Sequence, residues 1–223
     1  MLGDHAALRR HLPTALVVLD WNGTTMDDAH RTLASLNATL AELGIAGIDA
    51  DTFSARFRLP MAAMLADLGV AEGDLDAAIR SWNGQIGHAE ATLSRGAEAL
   101  LRGLAERGRP GGVISAAAAP VVERDAAALG ILPHLRFLIG DANPKSEPLR
   151  ELVALGEGPV VYVGDTEYDV TEAIAAGAVP VGFSGGYRPA EALLAAGALA
   201  VIDDLAELLG DAVPARIPSR DMS

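Results

Sequence analysis

The sequence contains no cysteine. A disulfide framework, a zinc–thiolate site and a cysteine nucleophile are therefore excluded, and nothing calls for an oxidising compartment. Lysine is almost missing too: of 17 basic residues, Lys145 is the single lysine and all others are arginine. Aromatic residues make up only 4%, so the core has to be assembled from Ala, Val, Leu and Ile. No run of roughly 18 apolar residues occurs, and the opening MLGDHAALRRHLPT has no apolar signal-type segment; neither a membrane span nor a secretory leader is expected. Positive charge is in deficit, with 30 acidic residues against 17 basic and a formal net charge of −13. Such a surface repels phosphodiester backbones and anionic lipid, and the arginines are scattered singly or in pairs such as Arg9–Arg10. No nucleic-acid or membrane partner is expected, and the expected location is the cytoplasm.

What is there is ordinary for a globular chain: 223 residues, 50% hydrophobic and 21% charged, enough for one domain with an insertion. The first continuous apolar run, Thr14–Leu19, reads as a parallel strand buried on both faces. From Met26 to about Thr92 the pattern is helical throughout. Leu33, Leu36, Leu40 and Leu43 keep helical spacing up to a C-capping Gly44; further helices fit Asp51–Leu68, interrupted near Pro60, and Glu72 to about Ala91. After that, strands and helices alternate. Strands are read at Gly112–Ser115, Arg136–Ile139, Pro159–Val163, Val179–Phe183 and Ala200–Ile202. Helices fit Arg95–Arg107, Pro120–Leu129, Ser146–Leu155, Val170–Ala176, Ala190–Ala196 and Asp204–Leu209. The expected fold is α/β, a Rossmann-like doubly wound parallel sheet with an inserted all-α cap after its first strand. The expected organisation is a core of residues 1–25 and 93–210, a helical cap of 26–92 and a loose tail of 211–223.

In doubly wound sheets, ligands bind at the carboxyl ends of the strands. Four polar features fall there: Asp20 with Asn22, Gly23 and Thr24; then Ser115; then Lys145; then Asp165 with Asp169. The five histidines (His5, His11, His30, His88 and His134) show no metal-ligand spacing.

The strand-end motifs give the chain a resemblance to the haloacid dehalogenase superfamily. VVLDWNGT at Val17–Thr24 is similar to the family's first motif, an apolar strand followed by D-x-D-G-T, with one departure. GVIS at Gly112–Ser115, Lys145, and VVYVGDTEYD at Val160–Asp169 correspond to its second, third and fourth motifs, and the helical insertion lies where the family places its caps. The resemblance implies phosphoryl transfer from a small phosphorylated substrate, with Asp20 as nucleophile. It implies Mg²⁺ held by Asp20, the main-chain carbonyl of Asn22 and Asp165, with Asp169 orienting Lys145 or the waters of the metal. Ser115 and Lys145 would hold the phosphoryl oxygens, and Gly23 and Thr24 would shape the loop around the substrate.

The departure is Asn22, which stands where the family carries a second aspartate acting as general acid and base. An amide cannot exchange a proton near neutral pH. Three readings stay open. One is a phosphatase that manages without this acid, using an acidic leaving group or another residue such as His30 or Asp27; the DWNGT loop resembles a subgroup akin to phosphoglycolate phosphatases. Another is a different reaction of the superfamily. Phosphonoacetaldehyde hydrolysis is disfavoured because the cap has no lysine, and dehalogenation because the metal motifs are retained. The third is a weakly active or inactive phosphoester-binding or regulatory protein. Substrate choice should lie in the cap, where Arg56 and Arg58 in SARFRLPM are the candidates for a second anionic group on the substrate. The loop Ser184–Arg188 should rim the site, with Arg188 a further candidate. Oligomeric state is not legible.

Overall fold

The computed structural model of the chain describes residues 2–86 and 92–210. In chain order its elements begin with β1 (Leu2–Gly3), α1 (His5–His11) and β2 (Leu16–Leu19), followed by four helices, α2 (Ala29–Glu42), α3 (Ala50–Arg56), α4 (Met61–Asp67) and α5 (Leu75–Ile86). Then come α6 (Ala97–Glu106), β3 (Gly112–Ile114), α7 (Ala119–Ala128), β4 (Phe137–Ile139), α8 (Ser146–Ala154), β5 (Val160–Gly164), α9 (Glu167–Ala176), β6 (Val179–Phe183), α10 (Ala190–Ala195) and β7 (Ala200–Ile202).

The strands form one seven-stranded sheet in the order β1-β7-β6-β5-β2-β3-β4, parallel except for the antiparallel β1–β7 pair. Side chains alternate across it, as strand geometry requires. Val17 and Leu19 pack with Leu8 of α1, Leu101 of α6 and Val122 of α7, whereas Val18 packs on the opposite side with Leu149 of α8 and Ala173 of α9. This is the doubly wound α/β arrangement expected from the alternation of elements.

Several details differ from the sequence reading. The helical insertion follows the second strand rather than the first, because β1 is a two-residue strand too short to register as a hydrophobic run. The buried strand starts at Leu16, two residues later than expected. The interruption expected near Pro60 within Asp51–Leu68 is present and separates two helices: proline lacks an N–H and clashes with the preceding turn, so Pro60 becomes the N-cap of α4. The last expected helix is a 3₁₀ turn over Leu205–Leu209. Residues 87–91 of the third expected cap helix, His88 among them, and the expected tail 211–223 lie outside the described residues.

The helices α2–α5 enclose their own apolar cluster, including Leu36, Leu40, Phe53, Met64 and Leu65. Where the chain enters and leaves this region, Asp27 N–H donates to the Thr92 carbonyl (2.9 Å) and Ser94 N–H donates to the Thr25 carbonyl (3.0 Å).

Register places the site. Leu19 pairs with Val163 on one side and Val113 on the other. Asp20 is therefore level with Gly164 and Ile114, and Asp165 and Ser115 follow one residue further along their strands, so all three cluster at the carboxyl end of the sheet around the central strand β2, from which the chain winds first to one side and later to the other. Such a switch point opens a crevice.

Candidate functional site

A cavity of about 260 Å³ lies over these strand ends, between the sheet and the helices α2–α5. Asp20, Asn22, Ser115, Lys145 and Asp165 line it. Lys145 Nζ sits 2.7 Å from Asp20 Oδ1 and 2.6 Å from Asp169 Oδ1, with all three side chains buried. Lysine is rarely fully buried unless paired, and here it bridges two carboxylates. Burial disfavours its charged form, but the charges of Asp169 and Asp20 more than offset that and raise its pKa.

The carboxylates show the opposite balance. Burial pushes Asp20 up to about 7, helped by repulsion from Asp169 and opposed by Lys145. Asp165 is raised well above the usual carboxylate range, first by burial and then by Asp169 and Asp20. Three carboxylates around one ammonium leave negative charge in excess. Oxygens of Asp20, Asp165 and Asp169 lie within 4.8 Å of one another, the one such group of metal-capable side chains among the described residues.

Asp169 opens α9 as the third residue of a capping box with Thr166. One of its oxygens serves Lys145 and Tyr162, the other the N–H and hydroxyl of Thr166. Both are thus engaged, and direct metal ligation would require Asp169 to release one of these partners. Ser115 Oγ accepts from Ala117 N–H (3.1 Å), which leaves its own O–H to donate. Helix α7 is capped at Ala118, not by Ser115.

The loop after β2 works differently from its expected substrate contacts. Gly23 and Thr24 are buried and do not line the cavity. Gly23 has φ +74°, and a side chain there would collide with the Asp165 carboxylate. Thr24 Oγ1 donates to Asp165 Oδ1 (3.1 Å). Both residues position Asp165.

Asn22 Nδ2 donates to Asp28 Oδ2 at 2.6 Å. Asp28 is the functional candidate that sequence reasoning missed. It occupies the N-cap of α2, yet its carboxylate makes no capping bond. Instead it accepts from Gly23 N–H (2.8 Å), Asn22 and Tyr187 O–H (2.6 Å). Burial raises its pKa against those hydrogen bonds. Asp27 and His30, the two substitutes considered for the absent acid, are exposed and outside the cavity lining.

Arg56 and Arg58 are not brought to the cavity. Arg56 donates to the Asp67 carbonyl and Arg58 pairs with the Asp67 carboxylate, and all three residues line a separate surface cleft. Arg188 joins that cleft, held by Glu167 and by the carbonyls of Ser54 and Ala55. The arginine on the cavity wall is Arg31, buried on the first turn of α2. Only the fold reveals it: α2 buries Arg31, Thr32, Ser35 and Thr39 as well as its leucines.

The sequence matches the haloacid dehalogenase-like hydrolase family over residues 17–182. It is 33% identical over 189 residues, covering 77% of this chain and 84% of the relative, to a phosphoglycolate phosphatase of Xanthomonas campestris pv. campestris. Among solved structures, a haloacid dehalogenase-like hydrolase from Streptococcus pneumoniae superposes with a TM-score of 0.77 at 18% identity, covering 87% of this chain and 96% of that one. CbbY from Rhodobacter sphaeroides, solved with xylulose-1,5-bisphosphate, superposes at 0.68 and 21% identity, covering 88% and 97%. Among the described residues no helix is long and apolar enough to cross a membrane. With its sheet order, strand-end residues and sequence match in agreement, the chain belongs to the haloacid dehalogenase-like hydrolase family.

Proposed function

We propose that this hydrolase releases inorganic phosphate from a small phosphomonoester, using Mg²⁺ and a phospho-aspartyl intermediate on Asp20. The observation that carries this reading is Asp20 on the cavity floor, 2.7 Å from the buried ammonium of Lys145. A nucleophilic carboxylate is of use only if the charge of the incoming phosphoryl group is offset. The 33% identity to a phosphoglycolate phosphatase supports a small anionic substrate.

The donor set suits Mg²⁺: it is all oxygen, carboxylate-rich and clustered within 4.8 Å. Asp20, Asp165 and the Asn22 carbonyl would hold the ion, with Asp169 supporting from the Lys145 side. When bound, the ion neutralises part of the charge shared by the carboxylates and the phosphoryl oxygens.

The remaining work falls to the chain. Lys145 and the Ser115 hydroxyl donate to phosphoryl oxygens and hold phosphorus in line with Asp20. An Asp20 oxygen attacks phosphorus, and the bond to the ester oxygen breaks with its electron pair on that oxygen, which takes up a proton. Water then attacks phosphorus and gives up a proton to solvent, the bond between phosphorus and the Asp20 oxygen breaks with its electron pair on that oxygen, and inorganic phosphate and the free carboxylate result. Asn22 cannot deliver the leaving-group proton. Its amide, tied to Asp28, shapes the pocket wall, and the chemistry depends on a leaving group that needs little protonation.

Phosphate release from a panel of phosphomonoesters, with and without Mg²⁺, tests this. Mg²⁺-dependent turnover should fall by roughly 10⁴-fold or more in Asp20→Asn. Turnover indifferent to that substitution would overturn the mechanism, and tight binding without turnover would favour a phosphoester-binding protein instead.

A further inference from the structure

Asn22 lines the cavity two residues beyond Asp20, and the hydrogen bonds around Asp28 decide which way its amide is turned. Asp28 is fully buried, and an ionised carboxylate has no proton to give. Its Oδ1 accepts from Gly23 N–H (2.8 Å) and from Tyr187 O–H (2.6 Å). Tyr187 has a single hydroxyl proton, which goes to Asp28, so at the 2.8 Å contact between Thr32 and Tyr187 the donor is Thr32. Thr32 of α2 and Tyr187 after β6 thereby hold Asp28 through one oxygen. The other, Oδ2, needs a donor too, and Asn22 meets it with Nδ2 at 2.6 Å.

An amide that turns its nitrogen one way turns its oxygen the other. Among the described residues nothing donates to Asn22 Oδ1, and this oxygen is not one of the buried side-chain atoms left without a partner. It is therefore open to the cavity that Asn22 lines. There it offers an acceptor, and only an acceptor, a short way along the chain from the nucleophile.

Resting on the phosphatase reading above, we infer that Asp28 is a positioning residue for the second half of the reaction: by holding Asn22 Nδ2, it sets Asn22 Oδ1 to accept an O–H of the water that attacks the phospho-aspartyl group. Water enters along the line on which the ester oxygen left, because both lie opposite the Asp20 oxygen at phosphorus. One O–H is held by Oδ1, which aims a lone pair at phosphorus. The other carries the proton that goes to solvent as the new bond forms and the bond to Asp20 breaks with its electron pair on Asp20. Asn22 takes no proton at any stage. Toward the departing ester oxygen the same Oδ1 is merely repulsive, so the arrangement favours dephosphorylation over the first step.

Asp28→Asn tests this with nearly the same shape. Gly23 N–H and Tyr187 O–H would both need the one carbonyl oxygen of the new side chain, which leaves its NH₂ where Oδ2 stands. An NH₂ there can only donate, so Asn22 must give it Oδ1 and turn Nδ2 to the cavity. Radiolabelled 4-nitrophenyl phosphate with Mg²⁺ supplies both rates. Nitrophenolate release in a single turnover reports formation of the phospho-aspartyl group, and acid-quenched label on the protein reports its decay. The ratio of decay to formation should fall by roughly 10- to 100-fold, the scale of a misdirected orienting hydrogen bond. A general loss of activity cancels in that ratio. Adding Asn22→Asp, which meets the new NH₂ with one oxygen and gives the other to the cavity, should return the ratio to the wild-type value or above. If Asp28→Asn does not fold, Asn22→Ala removes the acceptor and lets water reach Asp28, and the same fall is expected. A wild type without Mg²⁺-dependent phosphate release overturns the phosphatase reading and this role with it. Turnover with an unchanged ratio, or a fall that Asn22→Asp does not reverse, overturns the role of Asp28 alone.

Discussion

The floor of the cavity and its wall are built on opposite rules. The floor is charged and hydrogen-bonded, its side chains gathered at the carboxyl ends of adjacent parallel strands. The wall is largely apolar and drawn mostly from helices, with the guanidinium of Arg31 set into it. On the floor, chemistry decides which residues stand there, and the backbone presents them. On the wall, packing between helices decides which side chains face inward. Perturbing the two regions should therefore produce effects of different size and kind.

The largest expected effect is at the centre of the floor. Lys145→Met removes the one ammonium among three buried carboxylates, so activity should vanish and stability fall by about 3–5 kcal/mol, as when one partner of a buried pair is lost. Urea unfolding with and without Mg²⁺ measures it; a near-neutral result would mean that the carboxylates do not need Lys145. The same burial makes Lys145 unreactive toward acylating reagents in the folded protein. Mass spectrometry should show labelling of the α-amino group alone until the chain unfolds.

Next comes the seam between floor and wall. In the wild type, turnover should depend steeply on leaving-group pKa. Asn22→Asp would set two carboxylates 2.6 Å apart across the present bond to Asp28, where they must share a proton. The pair's folded pKa would be raised above its unfolded value, so the variant should lose stability as pH rises through it. Adding Asp28→Asn removes the conflict. The double variant should then hydrolyse alkyl phosphates up to ~10²–10⁴-fold faster, the usual scope of general acid catalysis. An unchanged slope would show that another acid already serves. Peptide mapping must accompany the assay, because Asn22-Gly23 is prone to deamidation.

A smaller effect is the pH dependence of cation stabilisation. Asp20 is raised from 3.8 to about 7. Between those values the unfolded chain gives up a proton that the folded protein keeps, so the contribution of this group to stability falls as pH rises through that window. A cation that binds the ionised form should therefore raise Tm more at pH 8 than at pH 5, as differential scanning calorimetry would show. An equal rise at both pH values would remove Asp20 from the metal site.

Smallest of all should be Arg58→Ala. The Arg58–Asp67 side chains are 50% and 45% exposed, and exposed pairs are worth roughly 0–1 kcal/mol. KM for any substrate should stay the same.

Much of the floor was legible in the sequence because parallel strands buried on both faces leave a continuous apolar signature, and the polar residue that ends each is fixed in place by register. Asp20, Ser115 and Asp165 could be located on that basis alone. Asp28 could not, because an aspartate before a helix reads as an ordinary cap, and only the fold shows that it has turned away from capping. The wall was the least legible part. Arg56 and Arg58 stood out by their spacing and a nearby proline, yet the fold brings Asp67 at the end of α4 to them, and both bond to it. Arg31 was hidden in a helix read through its leucines, since its direction depends on how that helix lies against α7. The two-residue β1 lacked the length to produce any periodic signal.

The segment after β6 ties floor and wall together. Tyr187 places its ring among Phe53 and Phe57 of α3 and its C-terminal turn, at centroid distances of 5.5 and 4.5 Å, while its own N–H donates to Asp165 at 2.8 Å. Beside it, Arg188 spans from Glu167 to the carbonyls of Ser54 and Ala55. The seating of the helices and the setting of Asp165 are thus one equilibrium rather than two. Any cation affinity that depends on Asp165 is linked to any ligand that binds only beneath seated helices. The factor by which such a ligand tightens the cation must equal the factor by which the cation tightens the ligand.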